Sequence, residues 1–420
     1  MAKKEDLSVD EALDLVLNRV SVLADETVDL LDALGRVLAR SIAARDSLPP
    51  FANSAMDGYA LRADDVEGAR SDSPVVLRVV ADIAAGTNPT VDVVAGTAAR
   101  IMTGGPLPAG ADAVVPVEFT DEPWREADRP LPEHIAIHKM VTSGDYVRYP
   151  GEDVRAGTVV IEEGAVLRPQ EIGMMAALGY AQVPVFRRPK VGILATGDEL
   201  VDVSSALSPG KIRNSNSYVQ AAQVRASGGI PIMLGVAGDT EVDVREKLNS
   251  AINDHVDLLI SSAGVSVGAY DVVKAVLDIS GDVSFWRVRM RPGKPLAFGS
   301  YGGIPYLGMP GNPVSAMVSF ETFARPAILK MSGHRRLKRP VVEAITLEEL
   351  RSDGRESYIR AQISRDERGY VARTTGSQGS HIMTSLVRAN ALLVIPEGVT
   401  EVAAGTRLKA LMIDWPGVVF

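Results

Sequence analysis

Two short stretches of this chain carry residues suited to gripping an oxyanion. The first, Pro305 to Ala316, reads Pro-Tyr-Leu-Gly-Met-Pro-Gly-Asn-Pro-Val-Ser-Ala. Apolar strand residues give way to a Gly/Pro turn and then to a helix start. Asn312 stands at the N-cap position and Pro313 at the first helical position. The first N–H groups of a helix have no internal partner and are free to bind an anion. The second stretch, Arg291-Pro292-Gly293-Lys294-Pro295, lies just upstream. Pro followed by Gly at its centre is the pattern of a type II turn, whose ends lie within about 7 Å, so both cations can face one ligand. Arginine offers a planar fork and lysine a point charge. Alone, such a turn also reads as a solvated hairpin tip. Beside the helix start, it points to a phosphate or a metal oxyanion.

A set of acidic loops adds a second kind of chemistry. In an open β/α sheet, ligands bind outside the carboxyl ends of the strands. Thr196-Gly197-Asp198-Glu199 follows one predicted strand and Gly238-Asp239 the next. Ser262-Ala263-Gly264-Val265-Ser266-Val267-Gly268 leads to Asp271 after a third, and residues 308–312 follow a later one. If these strands are parallel, Asp198, Glu199, Asp239 and Asp271 converge on one edge. Carboxylate oxygens suit a hard cation such as Mg²⁺, which keeps several waters and bridges to phosphate. Each acid alone reads equally as a helix N-cap; together, beside glycine-rich loops, they favour a functional role.

The composition narrows the classes. The chain has 420 residues, 46% hydrophobic and 23% charged, as in a soluble globular protein of several domains. Its net charge of -9 argues against a nucleic-acid binder. The absence of cysteine excludes disulfides, thiolate metal sites and cysteine nucleophiles. The five histidines show no ligand spacing on a predicted helix. The N-terminus is polar and no apolar run reaches the length of a membrane span, so no membrane is expected and the cytoplasm is the expected setting.

The elements that must position these residues follow from periodicity. Ser8-Val9-Asp10-Glu11 has capping-box spacing, with Ala12, Leu15, Val16 and Val20 following at helical intervals. A second helical pattern runs through Leu30, Leu31, Leu34 and Val37. From about residue 51 to 147, short β-rich runs alternate with Gly/Pro turns, which predicts a compact β domain. Strands are expected at 191–195, 230–236, 258–261 and 285–290. Helices are expected at 216–226, 241–253 and 272–279, and from Pro313. Past about residue 332 the chain returns to short β runs. The expected fold is a multidomain α/β and β protein with a central, mostly parallel β/α domain at 187–331. A β domain at 48–147 is inserted into an elongated N-terminal α+β domain at 1–47 and 148–186, and a small β domain closes the chain at 332–420.

In their order, several motifs resemble those of the molybdopterin molybdenumtransferase family, of MoeA and gephyrin E-domain type. They are residues 53–60 (Asn-Ser-Ala-Met-Asp-Gly-Tyr-Ala), Met102-Thr103-Gly104-Gly105 and residues 195–200 (Ala-Thr-Gly-Asp-Glu-Leu). Residues 263–268, 291–295, 308–313 and Gly376-Ser377-Gln378-Gly379-Ser380 complete the series. The resemblance runs nearly end to end. It implies insertion of molybdenum from molybdate into adenylylated molybdopterin with release of AMP, aided by a divalent cation, Mg²⁺. It also implies a homodimer sharing its pocket between subunits, with other cofactor-synthesis enzymes as further partners. The central domain would bind molybdopterin. Asp57, Thr103, Glu199, Asp239, Asp271 and Lys294 match catalytic positions, with Glu199, Asp239 and Asp271 as metal ligands. Thr196, Gly197, Asp198, Gly264, Ser266, Gly268, Arg291, Pro295, Gly311, Asn312, Pro313, Ser315, Arg360 and Ser380 match substrate-binding positions. Asp153 is a further match near the β domain. Two positions depart from the family's pattern: Arg291 stands where lysine is common, and Ala269-Tyr270 precedes Asp271 where an acid is frequent. Two other readings remain at this point, adenylate transfer onto molybdopterin and a non-catalytic pterin-binding scaffold.

Overall fold

The computed structural model describes residues 6–122, 130–262, 272–273, 275–277 and 283–414. It separates into two compact units. One comprises residues 1–40, 164–172 and 182–420, and the other residues 41–163 and 173–181.

The first unit is built on a seven-stranded sheet. Its strands are β1 (Asp6–Leu7), β2 (Lys190–Thr196), β3 (Ile230–Ala237), β4 (Leu258–Ser262), β5 (Ser284–Val288), β6 (Pro295–Tyr301) and β7 (Ile304–Met309), in the order β1–β5–β6–β7–β4–β2–β3. All neighbours pair in parallel except β6, which runs against both β5 and β7. The sheet is therefore mostly parallel, as the apolar runs require. Adjacent residues alternate between two cores: Val191, Ile193, Leu258 and Ile260 enter one, Leu194 and Leu259 the other. Helices α1 (Val9–Asn18), α2 (Ser215–Ala226), α4 (Pro313–Ser319) and α5 (Arg325–Met331) contribute to the first core, and α3 (Glu241–Asn253) to the second. Between α4 and α5, residues Phe320–Ala324 form a π-helical turn. Among the described residues, no helix is long and apolar enough to cross a membrane.

Helix α1 begins with the predicted capping box. Ser8 Oγ accepts the Glu11 N–H at 3.1 Å and Glu11 accepts the Ser8 N–H at 2.9 Å. Leu7, Ala12, Leu13 and Val16 pack into the β/α core. The sequence reading, which groups 1–47 with 148–186, does not anticipate this, because β1 joins the sheet through two residues too few to show a pattern. The expected second helix is also corrected. Only Leu30–Ala33 is helical, as a 3₁₀ turn, and Leu31 is 81% exposed. Gly35, at φ +74°, ends any helical run there.

The C-terminal strands β8 (Val341–Thr346), β9 (Glu356–Asp366), β10 (Gly369–Thr374), β11 (Ala391–Ile395) and β12 (Arg407–Met412) form a closed barrel. The order is β9–β10–β8–β12–β11, and β11 pairs again with β9. Closure removes the exposed sheet edges.

The second unit carries a five-stranded sheet. Gly58–Leu61 lies between Ala113–Pro116 and Thr97–Ile101, followed by Val75–Ile83 and His134–Ile137. Tyr59 and Leu61 face one core and Ala60 the other.

Burial assigns different costs to two large apolar residues. Phe320→Ala, fully buried in the β/α core, is expected to cost about 3–5 kcal/mol in chemical denaturation. Leu31→Ala is expected to fall within about 0.5 kcal/mol of the parent. A large loss for Leu31→Ala would restore the helical reading of residues 30–37.

Candidate functional site

The turn carrying Arg291 and Lys294 is anchored at both ends. Met290–Arg291 adds in parallel to β9, with Met290 opposite Glu356 and Arg291 opposite Ser357. The Val288 N–H donates to the Lys294 carbonyl at 2.8 Å. The Arg291–Pro292 peptide is cis, so the turn differs from the all-trans type II turn suggested by its sequence. Gly293, at φ +108°, is required sterically as well: a Cβ there would lie 2.7 Å from Ser319 Oγ.

This turn walls a cavity of about 510 Å³, closed on its other sides by Ser315 of α4 and by the barrel. Six residues singled out in the sequence meet there: Arg291, Lys294, Pro295, Ser315, Arg360 and Ser380. The barrel adds Glu348, Glu349, Arg351, Arg355 and Gln378, which sequence reasoning missed. For Gln378 a signal existed, since it lies inside the Gly-Ser-Gln-Gly-Ser motif. The others come together through barrel closure, which leaves no local pattern.

Most charges in the cavity are already paired. Glu348 accepts the Thr374 N–H at 2.7 Å and its hydroxyl at 3.1 Å. Arg351 pairs with Glu349 at 3.0 Å. Arg355 holds Asp353 at 2.5 Å and keeps that carboxyl below its ordinary range, while Arg291 lies 3.8 Å from the same carboxylate. Two cations remain. Lys294 is exposed, with no hydrogen-bond or ion-pair partner among the described residues. Arg360 is 1% exposed and has no carboxylate partner among them. Its Nε donates to Ser385 Oγ and its Nη2 to the Gly379 carbonyl, both at 3.1 Å. Burial, and then the neighbouring Arg291, pull its pKa down to about 10, which leaves it charged at neutral pH. A buried guanidinium bound to neutral acceptors favours an incoming anion.

The helix start contributes less than its sequence suggests. Asn312 occupies the N-cap position, but its side chain makes no capping bond. Pro313 has no N–H, and that of Val314 is taken by the Ser380 carbonyl at 3.1 Å. The Gly311 carbonyl accepts from Asn216 Nδ2 at 2.7 Å. Ser315 is the α4 residue that lines the cavity.

The acidic loops lie further along the same edge of the sheet. Because β5, β7, β4, β2 and β3 run in one direction, the cationic turn after β5, residues 310–312 after β7 and the acids after β2 and β3 all leave from that edge. At about 4.8 Å per strand, β5 and β2 are roughly 19 Å apart. Asp198 Oδ1 accepts the Asp239 N–H at 3.2 Å, which joins the two loops. The Lys211 ammonium donates to the Asp198 carbonyl. Gly197, at φ +139°, lies directly against the Glu199 carboxylate, where a Cβ would collide with it. The exposed carboxylates of Glu199 and Asp239 have no protein partner among the described residues. The buried hydroxyl of Thr196 likewise has none. Among the described residues, no three acidic or histidine side chains group closely enough to hold a metal. Gly264, Ser266, Gly268 and Asp271 lie outside the described residues.

In the second unit, Asp57 and Thr103 meet each other. Asp57 Oδ1 accepts the Thr103 N–H at 2.6 Å and its hydroxyl at 2.8 Å.

Three family models match the chain. Residues 7–179 match the MoeA N-terminal region (domain I and II), residues 192–330 a probable molybdopterin binding domain, and residues 343–413 the MoeA C-terminal region (domain IV). Molybdopterin molybdenumtransferase 2 of Mycobacterium tuberculosis is 41% identical over 408 residues, covering 96% of this chain and 98% of that protein. The molybdopterin molybdenumtransferase of Nostoc is 38% identical over 417 residues, covering 97% and 94%. A crystal structure of a molybdopterin biosynthesis MoeA protein from Pyrococcus horikoshii superposes with a TM-score of 0.80 at 33% identity, covering 97% of this chain and all of that one. With one cationic cavity and one acidic edge on a shared sheet, and relatives matched along its whole length, the chain belongs to the molybdopterin molybdenumtransferase family.

Proposed function

We propose that the protein inserts molybdenum into adenylylated molybdopterin, taking molybdate as oxyanion substrate and releasing AMP. The observation that carries this reading is the cavity in which Lys294 and the buried Arg360 have no carboxylate partner among the described residues. Molybdate has two negative charges and four acceptor oxygens, which suit a point cation and a guanidinium fork. Ser315 and Ser380 add hydroxyls to the same walls. Arg291 widens the positive field at the rim.

The pterin substrate lies along the sheet edge in this reading, between the acidic loops and the cavity. Thr196, Gly197, Asp198, Gly311, Asn312 and Pro313 border its path, and the uncapped Thr196 hydroxyl is a donor without a protein acceptor. The free carboxylates of Glu199 and Asp239 fit a hard, oxygen-liganded cation. Mg²⁺ bound there, with Asp271 as a further ligand, would offset the charge of the phosphoanhydride. The chain's own task is to fix the oxyanion at one end and the phosphates at the other. A molybdate oxygen or a water then attacks the phosphoanhydride at phosphorus, and AMP leaves. The pterin's two thiols replace oxygens of molybdate, which depart as water with the thiol protons and leave the oxidation state of molybdenum unchanged; a cysteine-free protein offers no competing thiolate. The family resemblance supports a homodimer with a pocket shared between subunits, and Asp57 and Thr103 match positions that the family uses near its active site. Adenylate transfer onto molybdopterin and a non-catalytic scaffold are not favoured, since relatives matched over the whole length carry the transferase name.

The direct test mixes purified protein, adenylylated molybdopterin, molybdate and Mg²⁺, and follows AMP together with metal retained on the pterin. Molybdate-dependent AMP release with retained metal is expected; pterin bound but uncleaved would refute the reading. Lys294→Ala is expected to raise the molybdate KM roughly 10- to 100-fold, the scale of a lost charge-assisted contact, and to leave pterin affinity within about twofold. An unchanged KM would remove Lys294 from the oxyanion site. Asp239→Asn should raise the Mg²⁺ concentration for half-maximal turnover about tenfold or more, as expected on loss of an anionic oxygen ligand. An unshifted Mg²⁺ titration would exclude Asp239 as a ligand.

A further inference from the structure

We propose that Gln378 is the positioning residue of the oxyanion cavity, an amide clamp that holds Arg360 and the loop 376–380 in one frame. The inference rests on the reading of that cavity as the molybdate site. Gln378 Oε1 accepts the Arg360 N–H at 2.9 Å, and its Nε2 donates to the Arg360 carbonyl at 3.2 Å. One side chain thus bonds both polar groups of a single residue, as a neighbouring strand would; the N–H has Gln378 as its acceptor, while the carbonyl is shared with Thr375. Nε2 also donates to the Gly376 carbonyl at 3.0 Å, which fixes the loop that carries Gln378 itself.

Two consequences follow from the same loop. The carbonyl of Gly379, the next residue, accepts from Arg360 Nη2 at 3.1 Å. The carbonyl of Ser380 accepts the Val314 N–H of α4. Gln378 therefore couples the backbone of Arg360, one anchor of its guanidinium, and the seam between barrel and helix. Without the amide, Thr375 still holds the start of the loop on β9 through its N–H and hydroxyl, at 3.0 and 3.2 Å from the Arg360 carbonyl. The stretch from Gly376 to Ser380, however, loses its tie to the Arg360 N–H, and the guanidinium loses a fixed acceptor. A buried charge whose acceptors drift no longer presents its free donors in one direction.

The fold supplies a matched control. Asn390 brackets Ile363, three residues further along β9, in the same manner: its Oδ1 accepts the Ile363 N–H at 2.7 Å and its Nδ2 donates to the Ile363 carbonyl at 2.9 Å. Asn390 does not line the cavity. A loss of barrel stability alone should affect both variants alike, whereas a positioning role belongs to Gln378.

The experiment compares the full-length protein with Gln378→Ala, Asn390→Ala and Arg360→Ala. It measures molybdate binding by calorimetry, the KM values for molybdate and for adenylylated molybdopterin, and the denaturation midpoint. Gln378→Ala is expected to weaken molybdate binding roughly tenfold, the scale of one or two net neutral hydrogen bonds, and to raise the molybdate KM without moving the pterin KM. Asn390→Ala is expected to shift the midpoint comparably and to leave both values within about twofold. Gln378→Met, which keeps the length and loses all three bonds, is measured in the same way and stands in if Gln378→Ala does not fold. Molybdate binding that is lost in Arg360→Ala but indifferent to both Gln378 variants overturns the clamp alone. Equal weakening by Gln378→Ala and Asn390→Ala also overturns it. A parent protein that binds no molybdate overturns both the clamp and the cavity reading.

Discussion

The guanidinium of Arg360 is buried against neutral acceptors, and much of the C-terminal architecture serves that arrangement. Taking a cation out of water costs several kcal/mol unless its donors are satisfied. A carboxylate would satisfy them but would also cancel the charge. Here the Ser385 hydroxyl and the Gly379 carbonyl take two of the donors and leave the charge uncancelled. Those acceptors need rigid supports. The closed barrel provides one, since β9 is paired on both sides, by β10 and by β11. The loop 376–380 provides the other.

The β/α sheet makes a complementary contribution. A parallel sheet delivers the ends of several strands to one edge, and backbone polarity favours ligands there. The antiparallel strand β6 keeps the sheet's connectivity compatible with that rule: it returns the chain so that the cationic turn after β5 and the loop after β7 both sit at the edge used by β4, β2 and β3. Cationic and acidic chemistry are thus separated along one line. That separation suits a substrate with phosphates at one end and a metal-receiving group at the other. It also keeps the carboxylates of Glu199 and Asp239 from neutralising Lys294.

Local glycines set the close approaches. Gly197 makes room for the Glu199 carboxylate, and Gly293 lets the cationic turn lie on Ser319. Both are places where a side chain would push a functional group out of line, and both stand inside motifs visible in the sequence.

The sequence alone determined the alternation of strands and helices from residue 189, the capping box at Ser8 and the residue types of the cationic turn and of the Gly/Pro turn before α4. These signals are local: a period, a cap, a turn composition. It also carried a family resemblance that the comparisons support along the chain. Tertiary structure decided the rest. Leu30 to Val37 had helical spacing, but the helix stops after one 3₁₀ turn because nothing buries Leu31 and Leu34. Asn312 had the right type for a cap, yet Ser380 from the barrel took the Val314 donor instead. β1 was too short to recognise, and its pairing with β5 brought α1 into the β/α core. Arg360 and Lys294 lie 66 positions apart by number. They became one site because a barrel strand closes against a turn, a long-range packing event that leaves no periodicity in either segment.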